Sequence, residues 1–169
     1  MCIKLKNQRR VNPSVADRDI TVMKIGYVND DGSLFHPLYM NHFTYTMNEQ
    51  APDEELRIDI GEAWRMDGEK MVLIPVKTVS AGYHAYIDPA KATDCTLWME
   101  SRHLRRECGP TLGEFTIPAG AKYFIGDDGD IVASAMTYIG ELSLIPGDPL
   151  EAKTKEVLEK MKKENKSLR

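Results

Sequence analysis

The sequence has little cysteine, no long apolar run and no glycine-rich phosphate loop, and each absence removes a class of protein. Its three cysteines, Cys2, Cys95 and Cys108, form no CxxC pair and leave an odd number, so no disulfide framework is expected. If residues 89–107 coil as a helix, Cys95 and Cys108 stand roughly 20 Å apart at about 1.5 Å per residue, beyond disulfide reach. They read as packing thiols. The stretch "MCIKLKNQRRVNPSV" alternates basic and apolar residues without the continuous apolar block of a secretory leader, and no other run is long enough to span a bilayer. A cytoplasmic protein is the expectation. Lys and Arg number 22 against 26 Asp and Glu, a net charge of −4, which leaves no electrostatic footprint for nucleic acid or an anionic membrane. GxSxG, P-loop, HExxH and paired-carboxylate patterns are missing as well.

What the chain does carry is strand signal. "ITVMKIGYV", residues 20–28, is β-branched and apolar on both faces, a strand with cover on each side. Asp31-Gly32 and Asp67-Gly68 are hairpin turns, because glycine accepts the positive φ such turns demand. Pro37 and Pro75 cannot donate a ladder hydrogen bond and predict sheet edges or bulges. Phe43, Tyr45 and Met47 alternate with polar neighbours as a half-buried strand; Leu56, Ile58 and Ile60 share one face of another. "NEQAPDEE", 48–55, reads as a solvated loop. The segment 114–145 reads as two or three strands with turns at Pro118-Ala119-Gly120 and Asp128-Gly129.

Two helices are predicted. Asp88-Pro89 has the chemistry of a helix start, a carboxylate cap followed by a residue suited to the first turn, and Gly109-Pro110 stops that helix. Leu97, Ser101, Leu104 and Cys108, with Trp98 beside them, recur at helical spacing and should face the sheet. Asp148-Pro149 opens the second, with Glu151 completing a capping box. Its face is Leu150, Thr154, Val157, Leu158 and Met161, with fraying near Ser167. The pattern predicts an α+β protein: curved, mainly antiparallel sheet with one central and one C-terminal helix. Its parts are an N-terminal arm (1–16), a single domain (17–147) and the C-terminal helix (148–169).

Candidate sites gather at the strand-to-helix corner "GYHAYIDPAKA". A period of two puts Tyr83, Ala85 and Ile87 on a core face and His84 with Tyr86 on the other, where a donor, an imidazole and a ring could meet a small ligand or a partner loop. Lys24 sits mid-strand on the face of Ile20 and Val22, where the usual outcome is a snorkelled amine. Asp127, Asp128 and Asp130 form the densest carboxylate cluster, read as turn chemistry because the further ligands of an EF-hand are missing. His36, His42 and His103 fall in separate elements without metal spacing. A phosphate site at the Asp88 helix start is disfavoured, since the aspartate occupies the free donors.

The succession "RDITVMKIGYV", "GYHAY" into "DPAKA", and "IPAGAKYFIGDDGDIVAS" resembles a family of short uncharacterised proteins encoded by gut bacteria and their phages or prophages, over roughly residues 17–140. The resemblance implies a phage-associated origin and brings no activity or cofactor with it. A second likeness is to the ADP-ribosyltransferase fold, where a "G-aromatic-H" strand followed by a helix lines the NAD pocket. That likeness implies Tyr83 and His84 on the middle strand, Lys24 where the family carries Arg or His, and Glu114 near the catalytic glutamate. No activated group beside a positioned partner is legible, so the expectation is a non-catalytic module that binds a small ligand or a protein through Tyr83, His84, Tyr86 and Lys24. The alternatives are an NAD-using transferase and a virion or oligomeric structural protein.

Overall fold

The computed structural model describes residues 3–38, 43–95 and 110–168. In chain order the strands are β1 (Ile3–Lys4), β2 (Ser14–Val15), β3 (Ile20–Val28), β4 (Leu34–Pro37), β5 (Tyr45–Thr46), β6 (Ile58–Asp67), β7 (Lys70–Val79) and β8 (Tyr83–Tyr86). A helix α1 starts at the corner and is described over 89–95. Then come β9 (Thr111–Ile117), β10 (Lys122–Ile125), β11 (Asp130–Ala133), β12 (Thr137–Leu142) and the helix α2 (Glu151–Glu164). The fold is α+β, and every strand pairing among the described residues is antiparallel. The larger sheet runs β12-β9-β3-β8-β11-β10-β2, with β4 and β5 attached through β3; a smaller one runs β1-β7-β6.

β3 is the spine. Its Ile20 and Val22 enter a core rich in aromatic rings, where Phe35, Tyr45, Phe115 and Tyr138 stack edge-on or tilted. Met23 and Ile25 enter a second core with Leu112, Leu142 and the buried Val157 and Met161 of α2. Cover on both faces is what the unbroken apolar run predicts. Burial of Val157 and Met161 contributes roughly 1.5–3 kcal/mol each. β12 serves both cores because one extra residue between Tyr138 and Gly140 shifts its register, so Tyr138 faces one side and Leu142 the other. A third core, Ile3, Leu5, Val79, Phe124 and Val132, joins the two sheets. The first sixteen residues thus supply β1, β2 and the buried side chains of Ile3, Leu5 and Ala16.

The prolines mark edges. Pro75 lies in an unshifted register opposite Glu62, beyond the two residues at which β1 pairs with β7. Pro37 likewise lies beyond the reach of β5 on β4. Gly32, Gly68 and Gly129 adopt positive φ in the three Asp-Gly turns.

Several details differ from expectation. The Pro118–Gly120 turn joins β9 and β10, which are not neighbours: β9 pairs with β3 and β12, and β10 with β11 and β2. A short turn signals a reversal, but which strands then pair is set by the whole sheet. The 48–55 segment is less free than its polarity suggests. Ala51 is buried, and the Ala51 and Glu54 amides donate to Met136 and Ser134 carbonyls at 2.9 and 2.8 Å. At α2 the capping box is displaced. Asp148 accepts from the Leu150 amide at 2.8 Å and Glu151 accepts from the Gly147 amide at 3.0 Å, so a turn precedes the helix. The helix end does not fray at Ser167: the turn continues, the Leu168 amide donates to Asn165, and Leu168 packs against the aromatic core. Leu97, Trp98, Ser101, Leu104, Cys108 and the Gly109 stop lie outside the described residues, as do Cys2, His42 and His103.

Candidate functional site

The corner forms as its chemistry requires. β8 pairs Tyr83–Tyr86 against Asp130–Ala133 of β11, and Tyr86 meets Met23 of β3. Asp88 Oδ1 accepts from the Ala90 amide at 3.0 Å, capping α1. Three further ties close the junction. Ile87 and Asp88 amides donate to the Gly129 carbonyl, Lys91 pairs with Asp128 at 2.6 Å, and the buried Asn165 donates from Nδ2 to the Ile87 and Thr21 carbonyls at 3.2 and 2.8 Å.

The four candidate residues do not share one surface. Tyr83 faces the aromatic core beside Phe43 and Tyr45, and its hydroxyl donates to the Pro52 carbonyl at 2.6 Å. Burial, with Glu54 and Asp53 adding to it, pushes that phenol up to about 12. Tyr86 packs into the second core, and its hydroxyl donates to Cys95 Sγ at 3.6 Å. His84 is buried opposite Val132, and neither ring nitrogen has a hydrogen-bond partner among the described residues. Burial, then the charge of Lys24, lowers its pKa to about 4, against which the Ser80 and Ala81 backbone pulls.

Lys24 does not snorkel. It lies in the core, 7% exposed, because the face of β3 it shares with Ile20 and Val22 is closed over by Tyr45 of β5 and Phe115 of β9. Its Nζ donates to the His84 main-chain oxygen and sits 5.2 and 5.7 Å from the centres of the Tyr45 and Phe115 rings. Without a carboxylate beside it, burial brings the amine down to about 7. Glu114 pairs with Met23, so it stands on the opposite face of the sheet from Lys24. The two side chains therefore do not line one pocket. The aspartates of "GDDGD" diverge: Asp127 pairs with Lys4 at 2.9 Å, Asp128 with Lys91, and Asp130 turns inward, where burial raises it to about 6. Among the described residues no cluster of three or more His, Cys, Asp or Glu is arranged to hold a metal ion, and no helix is long and apolar enough to cross a membrane.

The most exposed chemistry lies elsewhere. β6 and β7 form a two-stranded ribbon of ten residues a strand, about 33 Å long at about 3.3 Å per residue. Ile58 and Val79 at its base pack into the third core. The alternation carries the same face outward as Ile60, Trp64, Met66, Met71 and Leu73, all exposed, with Ile60 at 69% and Trp64 at 65%; Glu62, opposite Pro75, and Lys77 share that face. The sequence shows this alternation, but period two says only that a face is apolar, not whether the body reaches far enough to cover it.

At the foot of the ribbon is a groove of about 710 Å³ with Leu5, Tyr123 and Phe124 in its walls and Lys6, Arg9 and Arg10 around it. Gln8 clamps the β1–β2 loop to β7, accepting from the Lys77 amide at 2.6 Å and donating to its carbonyl at 3.2 Å. Lys77 Nζ donates to the Arg10 carbonyl at 3.1 Å. Comparison with protein-family models, curated proteins and solved structures found no match.

Proposed function

We propose that this chain is a non-catalytic protein-binding module, and that its contact surface is the outer face of the β6–β7 ribbon, taken up by a second copy of the chain. The observation that carries this reading is the row Ile60, Trp64, Met66, Met71 and Leu73 standing uncovered on one face. Monomeric proteins rarely expose more than a few hundred Å² of contiguous apolar surface, and a lone two-stranded hairpin is marginal in water. A second layer against the ribbon supplies what it lacks. The identical ribbon of another copy supplies an apolar face of the same length and width, which is the self-complementarity that two-fold association uses. Burial of the corner residues favours protein binding over a small ligand held at Tyr83, His84, Tyr86 and Lys24.

Sedimentation velocity over a concentration series tests the reading. The wild-type chain is expected to associate and the Trp64→Glu variant to remain monomeric with little change in melting temperature, since Trp64 packs on nothing that closes the monomer core. A wild-type chain that sediments as a monomer at every concentration overturns it.

A further inference from the structure

The ribbon's stripe and the basic groove lie on the same side of the molecule. Lys77 shares its ribbon face with Leu73 and Val79 by alternation, and its amine reaches the Arg10 carbonyl on the groove's loop. The distal end of the ribbon has a different character: the turn Asp67-Gly68-Glu69 carries two carboxylates against the single cation Lys70, which pairs opposite Asp67, and it is flanked by the exposed Met66 and Met71. At the groove, Lys6, Arg9 and Arg10 have no ion-pair partner among the described residues. In a chain of net charge −4 this is a local concentration of positive charge, Lys6 also bordering Asp127 and Asp128 on its other side, and the buried Leu5 and Phe124 beneath it offer an apolar floor.

The spacing between the two features fits a second copy. Lys77 marks the groove end of β7 and Lys70 the tip; in the register their partners on β6 are Ile60 and Asp67. Midway between them lie Trp64 and Leu73, which face each other across the ribbon. When two ribbons lie antiparallel, face against face, about a two-fold axis through Trp64 and Leu73, each tip comes to the foot of the other ribbon. The large ring then sits at the centre of the contact, where binding energy concentrates, and the charged groups sit at its rim.

Resting on the ribbon reading above, we infer that the Asp67–Glu69 turn of one copy docks in the Lys6–Arg9–Arg10 groove of another, closing a two-fold dimer with two identical tip-to-groove contacts. Charge sets the orientation and excludes the parallel arrangement, in which tips meet tips. The apolar stripe supplies the affinity.

Two charge variants test this. Lys6→Glu with Arg9→Glu reverses the groove while leaving the structurally engaged Arg10 in place. Asp67→Asn with Glu69→Lys reverses the tip and keeps an Asn-Gly turn, which the hairpin accepts. Circular dichroism and melting temperature establish that both fold. Each variant alone is expected to weaken dimerisation by about tenfold or more, with the loss shrinking at high salt. An equimolar mixture of the two recovers association, because each acidic tip then faces a basic groove and each basic tip an acidic groove. If the wild type associates and Trp64→Glu abolishes it, but both charge variants dimerise as tightly as the wild type, the tip does not occupy the groove and the ribbon reading alone survives. A wild type that never associates removes both.

Discussion

Lys24 donates its ammonium hydrogen to the main-chain oxygen of His84, although the Lys24 side chain and the His84 ring lie on opposite faces of the sheet. The contact ties β3 to β8 at the point where their ladder is reduced to the Met23–Tyr86 pair. It also brings two basic groups into one poorly solvated region, where the charge of Lys24 disfavours that of His84.

Lys24 holds its proton less well folded than unfolded: its ordinary value of 10.5 falls to about 7. Between those values the unfolded chain binds the extra proton, so stability falls as pH drops from 10.5 to 7 and stays at the lower level beneath. Lys24→Met should flatten that slope in denaturant titrations and raise stability at pH 7 by about 1–3 kcal/mol, as when buried charges give way to apolar residues. An unchanged slope would show that the amine keeps its proton in the folded chain, as it would if it reached solvent.

Acid should reveal two opposing groups. His84, lowered from 6.5 to about 4, costs stability as pH falls through that window, because only the unfolded chain takes up the proton. Asp130, raised from 3.8 to about 6, adds stability as pH falls from 6 to 3.8, because the folded chain binds the proton first. His84→Leu is therefore expected to protect the protein at pH 5, by up to about 2 kcal/mol, and Asp130→Asn to stabilise it at pH 7 more than at pH 4. Melting temperatures across this range read both, and curves that shift in the same direction on acidification would refute the assignment.

Asn165 joins the end of α2 to Thr21 of β3 and to Ile87 in the β8–α1 corner through one amide nitrogen. Asn165→Ala removes both bonds in a fully buried place and should lower stability by about 1–3 kcal/mol in urea unfolding. Asn165→Asp, which keeps the size but not the donors, should do no better. A loss below about 0.5 kcal/mol would mean that water replaces the amide.

The extent of β3, the three Asp-Gly turns, the proline-marked edges and the Asp88 cap follow from residues a few positions apart, which is why the chain alone displays them. The chemistry of a turn or a cap is local: glycine's freedom at positive φ and a carboxylate's reach to the next amides hold whatever surrounds them. The amphipathic face of α2 is legible for the same reason, since Thr154, Val157 and Met161 follow the helical repeat.

Partnering between distant segments decided the rest. Lys24 reads as a snorkelling side chain until β5 and β9 close over it. His84 and Tyr86 read as one exposed face until β1 and β7 help build a core over the Val132 end of β8 and α1 covers the Tyr86 end. Ile60, Trp64 and Leu73 read as an ordinary half-buried strand until the sheets show that the body ends before the ribbon does. Alternation along a strand fixes which side chains share a face; only the arrangement of the other strands determines whether anything lies against it.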